Sequence, residues 1–93
     1  MTLREIVKNP RTKFIDVRTE QEFAMAHLNG AINIPLHTIP SKVEEIKRLD
    51  AESIVFYCLS GNRSGQAVSF LKQNGMQNIY NGGSIDEINY LLN

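Results

Sequence analysis

The chain has one cysteine, no tryptophan, two histidines and three prolines in 93 residues. One cysteine excludes an internal disulfide and any metal site built on paired thiolates, and His27 and His37 alone are weak material for another. Charge of one sign is missing too: ten basic and ten acidic residues give zero formal net charge, and neither sign gathers into a run. A nucleic acid or an anionic membrane asks for a basic patch, so neither is expected as a partner. No uncharged apolar run is long enough to span a bilayer. Met1 to Lys8 mixes charges where a signal peptide would be apolar. Repeats, low-complexity tracts and linkers are also lacking. These absences lead us to expect a cytoplasmic protein of one small domain, 1–93, working as a monomer.

What is present is organised around Ser53–Gly75. Ile54-Val55-Phe56-Tyr57 is a β-branched and aromatic run without charge, the pattern of a strand buried on both faces. It stops at Cys58, and Leu59-Ser60-Gly61-Asn62-Arg63 follows as a tight polar loop. From Ser64 the pattern becomes helical, with Ala67, Val68, Phe70 and Leu71 on one face and Gly75 placed to end it. Strand, cysteine, loop and helix start together set a thiol beside unpaired backbone N–H groups, in the crevice where open α/β sheets bind ligands. A thiol of ordinary pKa, near ~8.5, is only about 3% thiolate at neutral pH, and the thiolate is the nucleophile. Lowering that pKa by about two units is a preference of about 2.7 kcal/mol. The helix N-terminus, a ring of inward N–H groups and the Arg63 guanidinium are the groups to supply it. A lone cysteine ending a strand is otherwise an inert small hydrophobe, and only the loop after Cys58 separates the two readings.

Along the chain, Thr2–Lys8 reads as a helix ended at Asn9-Pro10, and Phe14–Val17 as a strand leading to a short helix over Glu20–Ala26. After the Asn29-Gly30 turn, Ala31–Ile34 reads as a second strand closed by Pro35, and Ser41–Leu49 as a helix. Asn78–Tyr80 is a short last strand, Gly82-Gly83 a turn, and Ser84–Leu92 a closing helix. Strands alternating with helices through short connections predict an α/β fold, mainly parallel, with helices on both faces of the sheet. Four helix starts have Ser/Thr-x-x-Glu spacing: Thr2 with Glu5, Thr19 with Glu22, Ser41 with Glu44, Ser84 with Glu87. The helix after Cys58 lacks this spacing, which leaves its positive end free for a ligand's charge. Asp16 reads as structural, bonding loop amides or pairing with Arg63 or Arg18, ahead of a role in proton transfer. Arg18 and Glu22 read as partners of each other or of nearby backbone, and His27 as a structural hydrogen-bonder.

Cys58-Leu59-Ser60-Gly61-Asn62-Arg63-Ser64 resembles the active-site loop of the rhodanese family, C-x-x-G-x-R-S. Asp16-Val17-Arg18, Glu22-Phe23, His27 to Pro35 and Asn81-Gly82-Gly83 match further family motifs in the right order, with Ala26 replacing the usual glycine. The tryptophan that many members carry after the double glycine is absent. The resemblance implies a small rhodanese-like domain with a four- to five-stranded sheet. It implies a thiosulfate sulfurtransferase in which Cys58 is the catalytic nucleophile and Leu59, Ser60, Gly61, Asn62, Arg63 and Ser64 bind the substrate, with Asp16 and Arg18 in support. The implied partners are a small sulfane donor and a thiol or cyanide acceptor, or a protein that accepts sulfur; no metal and no cofactor is called for. A sulfur-relay or regulatory binding module is the alternative. Phosphatases and arsenate reductases of related fold place one residue more between cysteine and arginine than the four seen here, and fit less well.

Overall fold

The computed structural model describes residues 1–93. Four strands, β1 (Thr12–Asp16), β2 (Ile32–Asn33), β3 (Ser53–Cys58) and β4 (Ile79–Ser84), form one all-parallel sheet in the order β2-β1-β3-β4. The sheet is thus four-stranded. Its helices are α1 (Leu3–Lys8), α2 (Glu20–Met25), α3 (Val43–Lys47), α4 (Asn62–Gln73) and α5 (Ile85–Leu92), with a 3-10 turn over Leu36–Ser41 before α3. None of them is long and apolar enough to cross a membrane.

The uncharged run of β3 puts it in the centre of the sheet, where all six residues are buried between β1 and β4. Side chains alternate across a strand, and the two faces of β3 feed two different cores. Ile54, Phe56 and Cys58 join Ile15, Val17, Ile39, Ile46, Ala67 and Leu71 on the side of α3 and α4. Val55 and Tyr57 join Ile6, Val7 and Ile88 on the side of α1 and α5. Helices therefore cover both faces. The alternation also decides the site: Cys58 points toward the helix that its own loop begins, whereas Tyr57 points away.

The apolar stripe of α4 buries Ala67, Val68 and Leu71, each large side chain contributing about 1.5–3 kcal/mol. Gly75 closes the helix at φ +92°, with Gly75 N–H donating to Lys72 and Met76 N–H to Leu71, the paired bonds of a glycine-ended helix. The helix starts at Asn62, two residues before the expected Ser64.

Three of the four expected capping boxes are formed, at α1, α2 and α5. The fourth is not. The chain winds a 3-10 turn through Ser41, whose hydroxyl donates to Thr38 O at 2.9 Å, and α3 begins after Lys42 with no side-chain cap. The helix after Cys58 is therefore not alone in lacking a box. Gly82-Gly83 is not a turn but part of β4. Phe56 pairs with Asn81 and Tyr57 with Gly83, so Gly82 is the extra residue of a bulge. A Cβ at Gly82 would lie 2.6 Å from Val55 Cγ1 and 2.8 Å from Ile88 Cδ1, so only glycine lets β4 pass between β3 and α5. The second strand shrinks to Ile32–Asn33 at the sheet edge, cut short by Pro35.

Candidate active site

Cys58 ends β3 at the carboxyl edge of the sheet, and its side chain is fully buried. The loop folds back over it because Gly61 adopts φ +94°, a conformation that costs other residues about 1–2 kcal/mol. In that conformation the Gly61 N–H donates to Cys58 Sγ at 2.9 Å. The Ser64 hydroxyl, from the first turn of α4, lies 3.4 Å from the same sulfur. Burial pushes the thiol pKa up, but the Ser64 hydroxyl and the N–H groups of Ser64, Ser60 and Gly61 outweigh it and hold the value below that of an ordinary thiol. The free positive end expected at this helix is thus directed at the protein's own sulfur.

The loop residues divide by what they reach. Ser60, Gly61 and Ser64 act on the sulfur. The Leu59 side chain is exposed, and the Asn62 N–H donates to the Ser60 hydroxyl at 3.4 Å, so neither is aimed at Sγ. Arg63 turns to α2, where its two terminal nitrogens donate to Glu22 Oε1 and Oε2 at 2.7 and 3.1 Å. This bidentate pair holds the Glu22 carboxyl down to about 2 and raises Arg63. Its contribution to stability is complete above pH 4.5, the ordinary carboxyl value, and is lost as the pH falls through about 2.

The tie of Arg63 is therefore to Glu22, not to Asp16, and Arg18 does not pair with Glu22. Asp16 is already filled: Arg18 donates from Nε and Nη2 at 3.0 and 2.7 Å and from its backbone N–H at 2.9 Å. Both side chains are buried, and Arg18 also donates to Ala26 O and lies over the Tyr57 ring. Asp16 does not bond the cysteine-loop amides. It sits in register with Tyr57, on the face of the sheet turned away from Cys58. Its pair with Arg18 fixes the end of β1, and the next residue, Val17, donates its N–H to Tyr57 O at 3.1 Å, one residue before Cys58. His27 is structural, with Nδ1 2.7 Å from Phe23 O and its ring stacked on Phe23.

One site residue escaped the sequence reading. Asn81, on the bulge of β4, accepts the Ser64 hydroxyl at 2.7 Å and donates from Nδ2 to Gly61 O at 3.0 Å. The double glycine was the available signal, since bulges re-aim side chains beside active sites, but a glycine pair also reads as a turn. Beside the loop a cavity of about 240 Å³ is lined by Val17, Thr19, Pro35, Leu36, His37 and Arg63. No group of three or more His, Cys, Asp or Glu side chains is arranged to hold a metal ion.

A parallel α/β sheet and a buried thiol cradled at the junction of its central strand with a helix define the class: a domain with a cysteine-loop site. The chain belongs to the rhodanese-like domain family, whose pattern matches residues 2–87. It superposes on the Escherichia coli structure described as rhodanese with anions, with a TM-score of 0.74 and 30% identity, over 82% of this chain and 89% of that one. The human single-domain sulfurtransferase TSTD1 gives a TM-score of 0.74 at 26% identity, over 91% of this chain and 87% of that one. The tRNA uridine(34) hydroxylase of Hamiltonella defensa is 30% identical over an alignment 92 positions long, which covers 92% of this chain and 26% of that protein. The chain thus spans about a quarter of the curated relatives it matches.

Proposed function

We propose that this domain is a sulfurtransferase that carries a sulfane sulfur as a persulfide on Cys58, with thiosulfate or a similar anion as donor. The observation that supports it most is the pair of polar groups on one buried sulfur, the Gly61 N–H donating at 2.9 Å and the Ser64 hydroxyl in contact at 3.4 Å. In the first step the Cys58 thiolate attacks the outer sulfur of thiosulfate. A new sulfur–sulfur bond forms, the old one breaks, and sulfite leaves with its electron pair. The charge then rests on the outer sulfur of the persulfide, within reach of the loop N–H groups that favour anionic sulfur. In the second step cyanide or a thiolate takes that outer sulfur and the Cys58 thiolate departs. No oxidant enters and no cofactor is used. The tRNA hydroxylases share the domain over only part of their length, and this chain has no run of basic residues, so nucleic-acid contact is not part of the proposal.

Arg63 and Glu22 set the charge at the mouth. With Glu22 in place, the guanidinium is largely neutralised, and an anionic donor gains little from it. Glu22→Gln therefore raises kcat/KM for thiosulfate about threefold, and Arg63→Ala, which leaves the Glu22 carboxylate unopposed, lowers it at least as much, the size expected of partly exposed charges. An uncharged persulfide donor responds less than twofold, roughly, to either change. The test is cyanide-dependent thiocyanate formation with both donors, read as parallel double-reciprocal lines, the mark of a covalent exchange in two steps. Intersecting lines would overturn the persulfide route. Equal responses of the two donors would make Arg63 a tie between α4 and α2 alone.

A further inference from the structure

The Ser64 hydroxyl has one proton and two neighbours able to take it. Asn81 Oδ1 stands at 2.7 Å and Cys58 Sγ at 3.4 Å. The Asn81 amide is fixed end for end: Oδ1 also accepts the Gly83 N–H at 3.0 Å, and Nδ2 donates to Gly61 O at 3.0 Å. An acceptor therefore faces the hydroxyl, and the short distance assigns the proton to Asn81. Ser64 Oγ is then left to accept from the thiol S–H. This arrangement suits the protonated cysteine. A thiolate cannot donate, so once it forms the Ser64 O–H must swing from Asn81 to the sulfur.

We propose that Asn81 is a positioning residue for Cys58: by holding the Ser64 proton away from sulfur, it sets how readily the thiolate forms. The thiol proton passes to solvent buffer, the Ser64 O–H turns, and no atom moves between residues. Asn81 Oδ1 keeps the Gly83 N–H in both states, so the turn costs it one bond of two. Seating supports the role. A Cβ at Gly65 would lie 3.2 Å from Asn81 Nδ2 and one at Gly61 3.2 Å from Gly83 Cα, so α4 and the β4 bulge approach as closely as glycine allows. The other charged groups around Cys58 are engaged elsewhere. Arg63 is held by Glu22 of α2, Asp16 by Arg18 at the end of β1, and Glu87 accepts the Ser84 N–H at the start of α5. His37, in the turn after β2, lines the cavity with Arg63.

The test is the pH midpoint of Cys58 ionisation, followed by the rate of alkylation with iodoacetamide and by ultraviolet thiolate absorbance. Access of the reagent scales the rate, whereas ionisation sets the midpoint. Ser64→Ala raises the midpoint by about one unit, because the thiolate loses a donor. Asn81→Leu lowers it by about half a unit or more, because the hydroxyl loses its competing acceptor. In the Ser64→Ala background the same Asn81→Leu change moves it by less than about 0.3 unit. Asn81 is exposed, so water can serve the Gly61 carbonyl and Gly83 N–H that it leaves. Should Asn81→Leu not fold, Asn81→Asp keeps the shape and both accepted bonds. It raises the midpoint by more than about one unit with Ser64 present and by less than half of that without it. An upward shift in Asn81→Leu, or equal shifts of either variant in the two backgrounds, would overturn the proposal. The inference rests on Cys58 being the nucleophile, but both readouts report thiolate whether or not sulfur is transferred, so the two readings fail separately.

Discussion

Cys58→Ser is expected to lose sulfur transfer by more than about a hundredfold while the domain stays folded. The exchange needs an atom that both attacks sulfur and leaves from it as a stable anion at neutral pH, and an alcohol oxygen does neither well. The fold has little stake in the sulfur. Serine differs by one atom and can keep the Gly61 N–H and Ser64 hydroxyl as neighbours. A stability change within about 1 kcal/mol is expected. Activity is read as thiocyanate formed per folded protein, with folding followed by denaturant titration. Residual activity above about one part in a hundred would put the chemistry on another group.

Asp16→Ala is expected to have the opposite profile, with a large loss of stability and no direct effect on chemistry. Removing the carboxylate leaves the Arg18 guanidinium buried beside Tyr57 with only Ala26 O as a close partner. Stranding one charge of a buried pair costs about 3–5 kcal/mol, because the remaining ion keeps its desolvation penalty and loses its compensation. Against a total of ~5–15 kcal/mol for a domain, that removes much of the margin. The urea midpoint should fall with its slope unchanged, and activity per folded molecule should stay within about threefold of the parent. A loss below about 1 kcal/mol would show that Arg18 finds other partners, and that the Asp16 pair does not fix the end of β1.

The parts of this architecture that are local in cause were legible in the residues. The β3 run is uncharged because it is buried on both faces, and that pattern needs no partner to be read. Three capping boxes follow from four consecutive residues each. The fourth failed because Ser41 belongs to a 3-10 turn whose winding is decided before it, from Leu36 onward. Gly82-Gly83 carries the composition of a turn, but Gly82 is there because Val55 of β3 and Ile88 of α5 leave no room for a Cβ. Part of that crowding comes from β3, which lies well upstream of β4 in sequence. The same holds for Arg63. Its loop was readable, but its partner depended on which side chain α2 brings across, and Glu22 serves both as the capping glutamate of α2 and as the arginine's counter-ion. Asn81 was seen only as part of a glycine motif, since its role depends on a bulge that no local pattern announces.

Sulfur transfer through Cys58 requires a covalent persulfide there, and mass spectrometry of the intact protein would detect it. After incubation with thiosulfate and removal of excess donor, the parent chain should gain about 32 Da, one sulfur, mapped to the Cys58 peptide. Cyanide should return it to its starting mass with one equivalent of thiocyanate, and Cys58→Ser should gain nothing. An unchanged mass in a parent protein that still turns over thiosulfate, or the same gain in Cys58→Ser, would rule out a persulfide on Cys58 as the carrier.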